Sequence, residues 1–306
     1  MKILLTGASG FLGQSVLEKL LNSGYRDIVY PRSYQYDLVD NNQVETLFKR
    51  NKPDRVIHLA ADVGGIGANM KNPASFFYNN ICMGINLIHN CYLFNVKHFT
   101  FVSTVCSYPK FCEAPFREES IWDGYPEETN APYGIAKKSV MVMLQSYKAQ
   151  YGLDGCCLVP TNLYGPRDNF DDSKSHVIPA LIKKFIKAKE SGAKEVVCWG
   201  TGKATREFLY VDDAAEAIVR GMEKINDPSP INLGSGYEIS IGDLVQKIGE
   251  FVGYEGEIVW DTSKPDGQPK RFLDTSRAKR LLDWEANTVF DDGLKNTIKW
   301  YSNAVN

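Results

Sequence analysis

The chain has 306 residues, enough for one large domain or two smaller ones with a sizeable core. Its 35 Lys and Arg nearly balance 37 Asp and Glu, which excludes a broad field drawing in nucleic acid or an anionic membrane. No apolar run nears bilayer-spanning length, Met1 leads into a core strand rather than a signal peptide, and seven cysteines without scaffold spacing read as free thiols, so a cytoplasmic enzyme is expected.

The first strand is expected over 2–6 (KILLT). Gly7-Ala-Ser-Gly10-Phe-Leu-Gly13 follows, then a helix over 11–23 whose Val16, Leu17, Leu20 and Leu21 recur at helical spacing. Strand, glycine turn and helix together are the context of a dinucleotide-binding loop. Glycines let the backbone turn tightly and approach a pyrophosphate, and the helix N-terminus meets its charge. Gly7, Ser9, Gly10, Phe11, Leu12 and Gly13 are therefore the expected cofactor cradle; an ordinary glycine turn is the alternative. The second strand, 26–30, ends without the acidic residue that would bond a ribose 2′-hydroxyl. Pro31-Arg32-Ser33 stands there instead, and an arginine at that place accommodates a 2′-phosphate, so NADP(H) is expected rather than NAD. The alternative is an Arg32 that faces solvent and touches nothing. Asp37 follows, near the expected adenine site.

Further strands are expected over 55–60, 98–103 and 155–160, alternating with helices over 42–50, 73–95 and 133–151. Such alternation indicates an α/β fold, a doubly wound parallel Rossmann sheet with helices on both faces. Ligands in such sheets bind beyond the carboxyl ends of the strands. That gathers the turn at 7–13, residues 61–65, Thr104–Cys106 and Thr161–Asn162 around one crevice. After about residue 165 the rhythm changes, with helices at 176–191, 212–225, 239–254 and 290–303 and short strands at 195–198 and 257–260. The expected division is a dinucleotide-binding domain over 1–165, to which later segments can return, and a smaller α/β substrate-binding domain over 166–306. Neither a linker nor a repeat separates them.

Two sets of proton-handling residues stand out. Tyr133 and Lys137 are spaced Tyr-x-x-x-Lys, one helical turn apart, so the ammonium shares a face with the phenol. A phenol titrates near ~10, and a neighbouring cation favours its ionised form, bringing it closer to acid–base use. Thr104 offers a hydroxyl beside it, and the trio suits reduction of a carbonyl. The plainer reading is a packed aromatic with a solvated lysine. The second set is Cys106 and, far downstream, His176; a thiol and an imidazole exchange protons near neutral pH. Their plainer readings are a buried apolar cysteine and a helix cap or core histidine. His58, His89 and His98 lie in core-like contexts. No spacing suits a metal, and Asp212-Asp213 heads a helix, where acidic residues complement the dipole.

The segments HLAADVGGIGANMKNPASFFYNN (58–80), CSYPKF (106–111), PEETNAPYGIAK (126–137), PTNLYGPRDNF (160–170), SHVIPALIKKF (175–185), WGTGKATREFLYVDD (199–213) and WDTSKPDGQPKRFLD (260–274) resemble the GDP-L-fucose synthases. These are bifunctional GDP-4-keto-6-deoxymannose 3,5-epimerase/4-reductases of the extended short-chain dehydrogenase/reductase superfamily. The resemblance implies that Tyr133 protonates the carbon-4 alkoxide, that Lys137 orients the cofactor, and that Cys106 and His176 epimerise carbons 3 and 5. It adds Ala60, Pro160, Asn162, Leu163 and His176 to the cofactor site, and Asn162, Lys184, Trp199, Arg206 and Lys270 to the site of the GDP-linked sugar. It also implies a homodimer. Two departures bear on the sugar: Thr104 stands for a serine, and Lys184 stands where arginine is frequent, which weakens a bidentate phosphate clamp.

Other activities compete with this one. A carbon-4 reductase acting on a related GDP-4-keto-6-deoxy sugar, such as a heptose, needs the same fold and no epimerisation. A regulatory dinucleotide sensor would need neither the tyrosine–lysine pair nor the cysteine and histidine. A UDP-sugar 4-epimerase recycles tightly held NAD and has no use for Cys106 or a 2′-phosphate site.

Overall fold

The computed structural model describes residues 1–172, 175–264 and 268–305. Residues 265–267, within the 260–274 segment of the resemblance, lie outside the described residues. The first half runs β1 (Ile3–Thr6), α1 (Phe11–Asn22), β2 (Ile28–Val29), α2 (Asn41–Asn51), β3 (Arg55–His58), α3 (Ile66–Lys71), α4 (Pro73–Leu93), β4 (His98–Val102), α5 (Ala131–Tyr151) and β5 (Asp154–Pro160). The second runs β6 (Asn162–Tyr164), α6 (Val177–Ser191), β7 (Glu195–Trp199), β8 (Thr205–Tyr210), α7 (Val211–Lys224), β9 (Pro230–Leu233), β10 (Glu238–Ser240), α8 (Ile241–Val252), β11 (Glu257–Asp261), β12 (Lys270–Arg271), α9 (Ser276–Leu282) and α10 (Phe290–Val305).

Six strands pair in parallel in the order β2-β1-β3-β4-β5-β9. The doubly wound α/β expectation is borne out. Both faces of this sheet are covered, which is why its strands read as apolar runs rather than as alternating ones. The period-2 alternation survives in where each residue packs. Leu4, Val56, Phe99, Cys157 and Val159 point to a core shared with α2, α4 and α5. Ile3, Leu5, Ile57, Cys156 and Leu158 point to the other core, shared with α1, α7 and α9. His58 lies 2.8 Å from the Thr6 hydroxyl and His98 2.7 Å from the Ile225 carbonyl oxygen, so both are satisfied core histidines.

Segments beyond residue 165 complete this unit: β9 pairs with β5, and α7 packs on α1. The sequence reading had no strand at 230–233, because four residues, Pro-Ile-Asn-Leu, are too short to show a periodicity of their own. A third core, with Ile182, Phe185, Phe208, Leu244 and Leu294, joins α6, α8 and α10 to β7, β8 and β10. Here β8 lies between β10 and β12 and also pairs with β6, the strand that leaves β5 after a single residue. The two units therefore share a continuous seam at 160–164. Strand order reverses between β1 and β3, and a crevice opens beyond their carboxyl ends at such a switch point.

Candidate active site

One cleft of about 2050 Å³ runs from the turn after β1 across the seam to α6, β7, β8 and β12. Its first half is shaped by glycines. Gly7 has φ +76, and a Cβ there would sit 2.6 Å from the Ala60 amide nitrogen at the end of β3. A Cβ on Gly13 would sit 2.0 Å from the Gly7 carbonyl oxygen. Only glycine lets the turn, α1 and β3 close this tightly. Gly10 occupies the N-cap of α1, and no acidic side chain lies in the first turn, so the positive helix end opens into the cleft. Ser9, Phe11, Leu12, Asp37, Ala60, Pro160 and Leu163 line the same half. Asp37 accepts the Val39 amide at 2.9 Å, which closes its loop. This cradle fits a dinucleotide diphosphate. Pro31 and Ser33 line the cleft, and Arg32 between them is exposed.

The chemistry sits where α5 meets the end of β4. Thr104 caps a 3₁₀ turn over Val105–Ser107, its hydroxyl oxygen accepting the Cys106 amide at 3.2 Å. A Cβ on Gly134 would lie 2.3 Å from the Cys106 carbonyl oxygen, so the glycine after Tyr133 brings helix and turn into contact. Tyr133 is buried, and desolvation raises its phenol well above the usual value; the nearby Cys106 sulfur adds to this, and a hydrogen bond with Thr104 opposes it. Lys137 is buried as well, and burial brings its amine down to about 8. Its Nζ donates to the Val102 carbonyl oxygen at 3.0 Å and lies 4.9 Å from the Phe101 ring centre and 5.8 Å from that of Tyr133. Burial is the largest influence on the phenol here, and it favours the neutral form. A phenol held protonated in this way suits a proton donor.

His176 occupies the N-cap of α6, but its ring makes no cap hydrogen bond, which removes the capping role. Its ring lines the cleft and is open to solvent, while the surrounding protein weakens its hydration and lowers its pKa. Cys106 lines the cleft too, so neither group is turned into packed interior. The fold thus sets a thiol from the first unit and an imidazole from the second on the wall of one cleft.

The second half of the cleft is cationic. Lys184 lines it and donates to the Val197 carbonyl oxygen at 2.8 Å. Asn162 donates to the Glu207 carbonyl oxygen at 3.1 Å, and Trp199 presents a largely exposed indole. Arg206 lines the cleft, with Nη1 donating to the Thr205 carbonyl oxygen at 2.7 Å. Lys270 does not belong here: it is exposed and pairs with Glu238 at 2.8 Å. Successive residues of a strand face opposite sides, and in register β12 sets Arg271 beside Arg206. Arg271 is the wall residue, and the sequence reading missed it. Gln268 and the 90% exposed Phe111 were missed as well. Adjacent Lys270 and Arg271 were the available signal, but parity in a two-residue strand is fixed only by its partner. Among the described residues no group of His, Cys, Asp and Glu is arranged to hold a metal, and no helix is long and apolar enough to cross a membrane.

A model of the NAD dependent epimerase/dehydratase family matches residues 3–234, and the chain belongs to that family. Within it, GDP-L-fucose synthase 1 of Arabidopsis thaliana is 41% identical over 300 residues, covering 98% of this chain and 93% of its own. Among solved structures, a GDP-6-OMe-4-keto-L-xylo-heptose reductase from C. jejuni superimposes with a TM-score of 0.93 at 32% identity, covering 99% of this chain and 98% of that one. A GDP-L-fucose synthetase from Naegleria fowleri bound to NADP gives 0.91 at 33%, with 99% and 93% covered. The resemblance to GDP-L-fucose synthases read from the motifs is borne out nearly end to end.

Proposed function

We propose that this chain is an NADPH-dependent GDP-4-keto-6-deoxy-D-mannose 3,5-epimerase/4-reductase that makes GDP-L-fucose. The observation that carries this reading is the single cleft in which Tyr133, Thr104, Cys106 and His176 lie between a diphosphate cradle and a cationic wall. Bound NADPH supplies the hydride that reduces carbon 4.

The residues divide the remaining work. Gly7, Gly10 and Gly13 hold the cofactor diphosphate, and Lys137 holds its ribose. Arg206, Lys184 and Trp199 receive the GDP end of the substrate. A ketone at carbon 4 acidifies the C–H bonds at carbons 3 and 5, because the resulting carbanion is an enolate. Cys106 and His176 exchange those protons from opposite faces of the ring. Thr104 and Tyr133 hydrogen-bond the enolate oxygen, and Tyr133 then delivers its proton to the carbon-4 oxygen. The protein works in the cytoplasm, and two copies pair through the exposed apolar side chains of α4 and α5, including Ile85, Tyr92, Val142 and Tyr151.

The C. jejuni likeness favours a second reading, a carbon-4 reductase of a GDP-ketoheptose without epimerisation. Incubation of GDP-4-keto-6-deoxymannose with the enzyme in deuterated water, without NADPH, separates the two. Deuterium at carbons 3 and 5 supports the bifunctional enzyme. An unlabelled ketone that is still reduced on adding NADPH refutes it in favour of the plain reductase.

A further inference from the structure

We propose that Arg271 is the fixed counter-charge of the Cys106 sulfur and so makes the thiol competent as the epimerising base. The proposal rests on the reading of Cys106 as part of the epimerase pair. Nη1 of Arg271 approaches Cys106 Sγ at 4.0 Å. Two further contacts hold the guanidinium in place: Nε and Nη2 donate to Gln268 Oε1 at 3.3 and 3.1 Å. Gln268 is itself anchored, its amide donating to the Lys110 carbonyl oxygen at 2.9 Å. The register of β12 on β8 fixes which of two adjacent cations enters the cleft. Position, orientation and support of the guanidinium are therefore all built.

The chemistry calls for such a partner. In the epimerisation step the sulfur lone pair takes the proton from carbon, an S–H bond forms, and the C–H pair moves to the ketone oxygen. A proton from the His176 ring is then delivered to the opposite face as that electron pair returns to carbon. Atoms and charge balance without an oxidant or reductant. The sulfur must begin the step as the anion, and the guanidinium 4.0 Å away sets a permanent positive charge against it. The other charged and titratable groups lining this part of the cleft include Tyr133 and Lys137 on α5, His176 at the head of α6, Arg206 on β8, Glu127 and Lys110. Glu127 is bound to Thr129 and Asn130, and Lys110 is paired with Glu128 at 2.9 Å. Arg271 is thus the cation the structure records on the sulfur itself.

The test uses the full-length ligand-free protein and iodoacetamide, an uncharged alkylating agent, with labelling of the Cys106 peptide followed by mass spectrometry. Arg271→Gln is expected to slow alkylation about tenfold near neutral pH, with the gap closing in alkaline solution, and Arg271→Lys to restore most of the rate. Equal rates in Arg271→Gln and wild type overturn the proposal, as does a deficit that persists unchanged at high pH, the mark of altered access. Should Arg271→Gln not fold, Gln268→Leu leaves the charge and removes its support; slower alkylation supports the proposal and an unchanged rate overturns it. Deuterium exchange at carbons 3 and 5 is then measured in the same variants. If alkylation responds as expected but wild type exchanges no proton on the ketosugar, the pair stands and the epimerase reading fails.

Discussion

Lys137→Met isolates what burial of this lysine costs the fold. The ammonium is 3% exposed, and its titration falls from the ordinary 10.5 to about 8. The unfolded chain therefore holds this proton between about 8 and 10.5 where the native protein has released it, and in that window stability rises with pH. Below it the native state carries the whole penalty, about 3 kcal/mol near pH ~6.5; near pH ~9.5 roughly 1.4 kcal/mol remains. Wild type thus regains about 2 kcal/mol over this interval, and a methionine regains nothing. At about 1.6 °C per kcal/mol for a chain of 306 residues, the melting-temperature gap between the two proteins should move by roughly 3 °C in favour of wild type as pH rises. The loss of the bond to the Val102 carbonyl oxygen offsets the absolute values but changes little across the interval. Thermal melts of both proteins without cofactor, at the two pH values, give the answer. A gap that stays constant refutes a buried, depressed Lys137.

The other expectations concern catalysis and binding. Tyr133→Phe should lower NADPH-driven reduction by about 10²–10⁴-fold while leaving deuterium exchange at carbons 3 and 5 measurable; full reduction would remove the phenol from its acid role. Cys106→Ser should stop exchange and permit slow direct reduction of the unepimerised ketone, as read by product stereochemistry. Arg32→Ala should raise the KM for NADPH more than that for NADH, and equal effects would deny the exposed arginine a 2′-phosphate. Gly13→Ala forces a Cβ to within 2.0 Å of a backbone oxygen, so it should cost about 1–3 kcal/mol in stability and abolish saturable NADPH binding by fluorescence.

Much of the site was legible because its signals are local. The glycine turn, the Tyr-x-x-x-Lys helix face and the apolar strand runs depend only on near neighbours along the chain, and each element formed where its pattern lay. The chain alone thus determined a doubly wound sheet, a phosphate cradle at the head of α1 and the residue types available for proton transfer. What covers a residue, however, is decided by distant segments. Burial raises the Tyr133 phenol and lowers the Lys137 amine, and desolvation depends on everything packed around the pair. The pairing of β12 with β8 sent Arg271 into the cleft and Lys270 to Glu238, a choice of parity that two adjacent cations do not encode. Only the closing of the second unit over the sheet put His176 in the same cleft as Cys106.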